Sequence, residues 1–261
     1  MDQSNPSLSR RDFLKLGGAA LVSAALTGMA PFPAGLDQAP VLHHGSRRHR
    51  YLAFTYDDCY LLNRMQDLEA LLEQYPDFRI TLFPVGQALL NNARQDPTIW
   101  QRFQAKGHDI GYHSFDHTNL AVMSPKGILA DFEKWSQALG QVLGFLPAVR
   151  FARPPFDILS YPFEYLCRER GLVATLYSTG GGGQPDTVMR AIRASQNGDI
   201  VQMHIRTDDL HTTQQALPYL AAEGIGAASL SRLYDDLLRE QNESEGCDVG
   251  PGSALTRTCF E

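Results

Sequence analysis

The chain has 261 residues, 23 basic and 29 acidic side chains, a formal net charge of −6, and is 43% hydrophobic. That balance excludes a basic nucleic-acid surface. No Gly-, Ser- or Pro-rich linker divides the middle of the chain, so one large domain is expected over two small ones.

The N-terminus reads Ser9-Arg10-Arg11-Asp12-Phe13-Leu14-Lys15, followed by an uncharged run over residues 16–29 built largely from Gly, Ala and Leu. Paired arginines ahead of a short apolar run make the pattern of a twin-arginine export signal. About 14 apolar residues fall short of the roughly 20 that a spanning helix needs. The signal is placed at residues 1–34. Pro31 disfavours a cut after Ala30, which leaves cleavage near Ala34 or later, or retention as an anchor. The chain is expected in the periplasm or outside the cell, delivered by the twin-arginine translocation machinery, with no stable membrane span after cleavage. Its four cysteines, Cys59, Cys167, Cys247 and Cys259, would then meet an oxidising compartment. Cys247 and Cys259 could close a short loop, though spacing alone fixes no pairing.

Residues 35–50 are polar and basic and read as a linker. Residues 51–56 form an apolar, β-branched run that ends in two carboxylates, and leucines at helical spacing follow over 61–75. The alternation continues with a strand at 79–85, a helix at 96–106, a strand at 109–112 and a long amphipathic helix at 125–143. Strands at 149–152, 172–177 and 199–205 follow, with helices at 162–170 and 186–195 between them. A last strand at 225–229 precedes a helix at 230–239, and residues 241–261 read as a tail. About seven strands alternating with helices imply a parallel sheet covered on both faces, most economically a distorted (β/α) barrel over 51–240.

Chemistry in such barrels gathers at the carboxyl ends of strands. Asp57-Asp58, His113-Ser114-Phe115-Asp116-His117, Arg153-Pro154-Pro155-Phe156 and Met203-His204 all fall there. Two imidazoles four residues apart on a helical turn share one face and can grip one cation, and Asp58 can add an oxygen ligand. Neighbouring strand residues point to opposite sides, so Asp57 and Asp58 divide into one ligand and one base unless the chain turns sharply between them. His108 belongs to the turn Gly107-His108-Asp109-Ile110-Gly111. His43, His44 and His49 lie in the solvated basic flank, and His211 lies at the surface.

Taken in order, these segments resemble the NodB-homology polysaccharide deacetylases, carbohydrate esterase family 4. Thr55-Tyr56-Asp57-Asp58 stands at the family's first motif, His113-Ser114-x-x-His117 at its second, Arg153-Pro154-Pro155-Phe156 at its third, and Ile200-Val201-x-Met203-His204 at its fifth. Residues 81–86 and 107–111 also resemble connecting segments of the family. The resemblance implies a hydrolase of carbon–nitrogen bonds other than peptide bonds, which removes N-acetyl groups from N-acetylglucosamine-containing polysaccharide. It implies one divalent metal held by Asp58, His113 and His117, zinc first and cobalt, nickel or manganese as alternatives. Asp57 would be the general base, His204 the acid that protonates the departing amine, and Arg153 the group that orients Asp57. The backbone N–H of Phe156 would meet the oxyanion, with Tyr56 and Pro155 on the substrate side.

The chain departs from the family at the fourth motif, which normally brings an acid and a tryptophan after the fifth strand. Here Tyr177-Ser178-Thr179 leads into four glycines, Gly180 to Gly183, and then Gln184-Pro185-Asp186. Four glycines predict a flexible loop, and Asp186 is the candidate for the missing acid. Cys59 also replaces the glycine that usually follows the Asp pair. The altered pocket keeps two alternatives open: a deacylase of O-acetyl xylan or a small amide, and a non-catalytic carbohydrate-binding relative.

Overall fold

The computed structural model describes residues 40–180 and 183–244. The expected export signal at residues 1–34, Gly181, Gly182, Cys247 and Cys259 lie outside the described residues. Among the described residues, nine strands alternate with eight α-helices, and every ladder between strands is parallel.

Strand β1 is Val41–Leu42, β2 Tyr51–Asp58, β3 Thr81–Pro84, β4 Asp109–Ile110, β5 Phe151–Ala152, β6 Val173–Thr175, β7 Thr179–Gly180, β8 Ile200–His204 and β9 Gly226–Ala227. One sheet runs β4-β3-β2-β8-β7, with β9 against the start of β2, and a second runs β1-β6-β5. Two features join them. A parallel bridge links Tyr112 to Ala152, beside the end of β4. The chain also leaves β6 at Thr175 and enters β7 at Thr179, and so changes partner from β5 to β8. The result is the expected α/β barrel, distorted by this passage between two sheets.

The helices are α1 (Leu62–Glu73), α2 (Gly86–Gln95), α3 (Ile99–Ala105), α4 (Pro125–Leu143), α5 (Tyr161–Arg170), α6 (Pro185–Ala194), α7 (Thr207–Glu223) and α8 (Leu230–Ser244). α4 takes the span its pattern predicts. Ser124 caps it by accepting from Gly127 N at 3.1 Å, Pro125 opens its first turn, and Gly144 ends it at φ 81°. The central strand β2 is buried from Tyr51 to Asp57, as a strand with helices over both faces must be. Phe54, Tyr56, Leu82, Trp100, Trp135 and Leu217 belong to one continuous core. Large apolar side chains of this kind contribute roughly 1.5–3 kcal/mol each on burial. The two buried indoles keep their N–H groups bonded, Trp100 to the Leu89 carbonyl at 2.9 Å and Trp135 to the Pro84 carbonyl at 2.8 Å.

The segment read as a linker is in part built into the domain. Within it, β1 pairs with β6, Leu42 and Ser46 are buried, and Gly45 N donates to the Gly198 carbonyl at 2.8 Å. Two apolar residues beside a basic run carry too short a pattern to register as a strand. Likewise α8 continues to Ser244, four residues into the expected tail.

Candidate active site

The site is assembled at the carboxyl end of the barrel. Asp57 and Asp58 close β2, His204 closes β8, Arg153 follows β5 directly and His113 lies three residues past β4. Register puts Asp57 opposite His204 on the neighbouring strand. The Tyr112–Ala152 bridge sets His113 beside Arg153, and the Arg153 N–H donates to the Tyr112 carbonyl at 2.9 Å.

The chain does turn between the two aspartates. Asp58 and Cys59 have φ values of 65° and 59°. Every other non-glycine residue with positive φ among the described residues lies in the same site: Ser114, His117, Phe156 and Asp157. Left-handed backbone costs a side-chain-bearing residue about 1–2 kcal/mol, and its confinement to three motif segments marks where local stability has been given up to aim side chains. The glycine usual at the position of Cys59 would avoid that strain. Cys59 is fully buried and unpaired, and burial together with Asp58 and Asp57 raises its thiol far above the ordinary range, which leaves it inert.

The histidine pair converges through a loop and not, as the four-residue spacing suggested, on a helical turn. Ser114 at φ 63° reverses the chain, and its Oγ accepts from His117 N at 2.9 Å. The start of α2 holds the loop from outside, with Gly86 N and Gln87 N donating to the carbonyls of Ser114 and Phe115. Gly86 is required there, since a Cβ would stand 2.4 Å from the Phe115 ring.

Asp58, His113 and His117 each bring one donor atom within 4.8 Å of the others, the sole such group of three or more among the described residues. His117 Nε2 and His113 Nε2 face Asp58 Oδ1 at 3.2 and 3.5 Å. That oxygen is buried and has no hydrogen-bond partner. His113 Nδ1 lies 2.9 Å from the Arg153 carbonyl, which can only accept, so Nδ1 carries a proton and Nε2 is the ring atom left to face Asp58. An orphaned buried carboxylate oxygen facing two imidazole nitrogens is a donor set that fits a divalent ion. Burial alone would raise the Asp58 carboxyl, but the two imidazoles hold it far below its usual range; burial would lower His113, and the Asp58 and Asp57 carboxylates lift it instead.

Asp57 is buried and doubly held. Arg153 Nη1 donates to its Oδ1 at 2.8 Å and Gln202 Nε2 to its Oδ2 at 2.8 Å. Arg153 is itself fully buried, and it also donates to Thr55 Oγ1 at 2.7 Å and to the Leu176 carbonyl at 3.0 Å. Phe156 is exposed, with its ring edge-on to His117 at 4.6 Å between centroids. Pro155 is buried. Tyr56, expected on the substrate side, is instead fully buried in the core with its hydroxyl 2.9 Å from Thr213 Oγ1. Strand alternation explains this, because Asp57 and Tyr56 must point to opposite faces of β2.

At the altered fourth motif, Thr179 and Gly180 form strand β7, and Asp186 stands exposed in the first turn of α6. The carboxylate that does lie beside His204 is Asp209, from the first turn of α7. Its Oδ2 accepts from the His204 backbone N–H at 3.0 Å and lies 3.8 Å from His204 Nδ1. Burial raises its carboxyl and that N–H pulls it back. Neither Gln202 nor Asp209 was picked out from the sequence. Gln202 had a signal, as a lone amide in an apolar strand that shares its face with His204. Asp209 had none beyond following His204 by five residues.

Of the remaining histidines, His49 departs from the solvated flank expected for it: it is half-buried, its ring stacks on Tyr51 at 5.8 Å between centroids, and its Nε2 lies 3.8 Å from Asp236 Oδ2. His108 is buried in its turn, where Nδ1 accepts from Ile80 N at 3.2 Å, and His43, His44 and His211 are exposed. No helix among the described residues is long and apolar enough to cross a membrane.

Fold and site together define a class: an α/β-barrel protein whose strand ends carry a triad able to hold a metal ion beside a buried, arginine-held carboxylate. The profile of the polysaccharide deacetylase family matches residues 44–174, half of the chain, and the chain belongs to that family. It is 22% identical over 204 residues to the peptidoglycan-N-acetylglucosamine deacetylase PgdA of Listeria monocytogenes, covering 74% of this chain and 41% of that protein. The chain thus spans less than half the length of the curated relatives it matches. The fold is shared with the Bc1960 peptidoglycan N-acetylglucosamine deacetylase, with a TM-score of 0.66 at 22% identity over 76% of this chain and 94% of the other. It is shared equally with a carbohydrate esterase family 4 pseudoenzyme from Bacillus anthracis, at TM-score 0.66 and 15% identity over 76% and 70% of the two chains.

Proposed function

We propose that the protein is an exported, metal-dependent hydrolase that removes N-acetyl groups from N-acetylglucosamine units of a cell-wall or extracellular glycan. Membership of the polysaccharide deacetylase family supports the reaction class. The observation that carries the reading is the orphaned Asp58 Oδ1 facing the Nε2 atoms of His113 and His117, one residue from a buried Asp57 held by Arg153.

A divalent ion held by Asp58, His113 and His117, zinc before cobalt, nickel or manganese, would supply Lewis-acid polarisation of the acetyl carbonyl and a more acidic water. Asp57 takes the proton of the attacking water, and Arg153 keeps that carboxylate ionised and aimed. The backbone N–H of Phe156 meets the oxyanion. His204 gives a proton to the departing amine nitrogen, a step that an amide needs because an unprotonated amine leaves poorly; such a positioned acid contributes about 10²- to 10⁴-fold. Export rests on the Arg10-Arg11 signal.

The test is acetate release by metal-replete protein from chitin oligomers, peptidoglycan and acetyl-xylan. Release from either of the first two is expected. Release from acetyl-xylan alone would make the protein an esterase, and silence on all three with metal bound would place it with the pseudoenzymes of its family.

A further inference from the structure

His204 closes β8 with its Nδ1 buried and without a hydrogen-bond partner. The carboxylate nearest to it is Asp209, 4% exposed, whose Oδ2 lies 3.8 Å from that nitrogen. The Asp209 oxygen is already anchored, since it accepts from the His204 backbone N–H at 3.0 Å. The Asp209 carbonyl in turn accepts from Thr213 Oγ1 at 2.8 Å, and Thr213 Oγ1 lies 2.9 Å from the Tyr56 hydroxyl in the core. A distance of 3.8 Å is no hydrogen bond, but a small rotation of the imidazole closes it while the carboxylate stays fixed. Asp186, the acid expected at the altered fourth motif, stands exposed on α6.

We propose that Asp209 is the positioning residue for His204: its carboxylate takes the Nδ1–H, fixes the ring tautomer, and presents Nε2 to the departing nitrogen. The inference rests on His204 as the acid of the reading above. In the step concerned, the C–N bond breaks with its electron pair going to nitrogen, and the Nε2 proton of the His204 imidazolium passes to that nitrogen. The ring is left neutral with its remaining proton on Nδ1, bonded to Asp209, which stays ionised. Solvent returns to His204 the proton that Asp57 took from water. A buried anion beside Nδ1 stabilises the charged ring before transfer and forbids the tautomer that would leave Nε2 protonated afterwards.

A purely structural role is open to Asp209, because an acid in the first helical turn that reaches back to a backbone N–H resembles a cap. Two measurements separate the roles. In metal-free wild-type protein, the imidazole ¹⁵N signals of His204, identified by their loss in His204→Gln, should report a neutral ring protonated at Nδ1. A ring protonated at Nε2 overturns the proposal whatever the activity of the protein. In metal-replete Asp209→Asn, where the amide oxygen can still accept from the backbone, kcat should fall by about 10²-fold or more, with KM and metal content unchanged. A kcat close to wild type in that variant would leave Asp209 a cap and nothing more. If wild type itself releases no acetate, the functional reading fails, while the tautomer still decides the placement of Asp209.

Discussion

Arg153 and Asp57 form an ion pair of 2.8 Å with both side chains almost wholly buried, 0% and 2% exposed. Arg153 spends its other donors on Thr55 and on the carbonyls of Thr175 and Leu176, so it ties β2 to the β6–β7 passage where the barrel changes sheets. Breaking a buried pair from one side leaves an uncompensated charge, which costs about 3–5 kcal/mol. Arg153→Met and Asp57→Asn should therefore each lower stability by about that amount in denaturant titration, since the first leaves a buried carboxylate and the second a buried guanidinium without its counter-charge. Losses that simply add in the double variant Arg153→Met/Asp57→Asn would contradict the pairing.

Metal should stabilise the folded chain independently of turnover. A ligand that binds only the native state adds about 2.7 kcal/mol at a hundred times its dissociation constant. Chelation is expected to lower the Tm, zinc to restore it, and His117→Ala to abolish the difference. A Tm that ignores zinc in the wild type would sink the triad of Asp58, His113 and His117.

Phe156 holds its ring against His117 from a backbone at φ 63°. Glycine adopts that conformation freely, whereas alanine retains a penalty of about 1–2 kcal/mol. Phe156→Gly should thus be more stable than Phe156→Ala by about that amount, the reverse of the order inside a helix. Equal stabilities, read by thermal unfolding, would mean that the left-handed turn relaxes once the ring is gone.

His108 sets the sign of one pH effect. Burial, helped by Arg79 and Lys106, pushes its imidazole down from the ordinary 6.5 to about 4. Above pH 6.5 both the folded and the unfolded chain keep it neutral. As the pH falls from 6.5 towards 4 only the unfolded chain gains the proton, so stability is lost across that window, by about 3 kcal/mol in all. His108→Asn, which can still accept from Ile80 N, should flatten the stability curve between pH 6.5 and 4 relative to wild type. Parallel curves would show that His108 does not titrate as its burial requires.

The parts of the fold that could be read in advance are those with strong periodic signals. β2, the 125–143 helix and the motif ends at Asp57, His113, Arg153 and His204 fall where alternation and spacing put them. Two helices escaped notice. α2 begins with Gly86 and carries Asn91 and Asn92, all poor helix formers, and packing of Ala88, Leu89 and Asn92 overrides that propensity. α7 contains Pro218 and two consecutive threonines, yet buries Leu210, Ala216, Leu217 and Leu220. Tertiary burial outweighs local preference in both. The loss of α7 from the sequence reading also hid Asp209, because an acid in the first turn of a helix can be recognised only once the helix is known. The structure brings His113 and His117 together, but on a loop and not on a helical turn. Spacing of four suits a helical turn, and only the backbone reveals that left-handed turns at Ser114 and His117 achieve the same convergence.

At the proposed site Asp57, beside a bound metal, drives amide hydrolysis. Metal-replete wild type and Asp57→Asn should be incubated with N-acetylglucosamine oligomers and peptidoglycan, with acetate, free amine and bound metal quantified together. Wild type should release acetate and free amine in equal amounts from at least one of them, and Asp57→Asn should retain the metal yet release neither. Undiminished turnover by the Asn variant, or acetate without a matching amine, would contradict this mechanism.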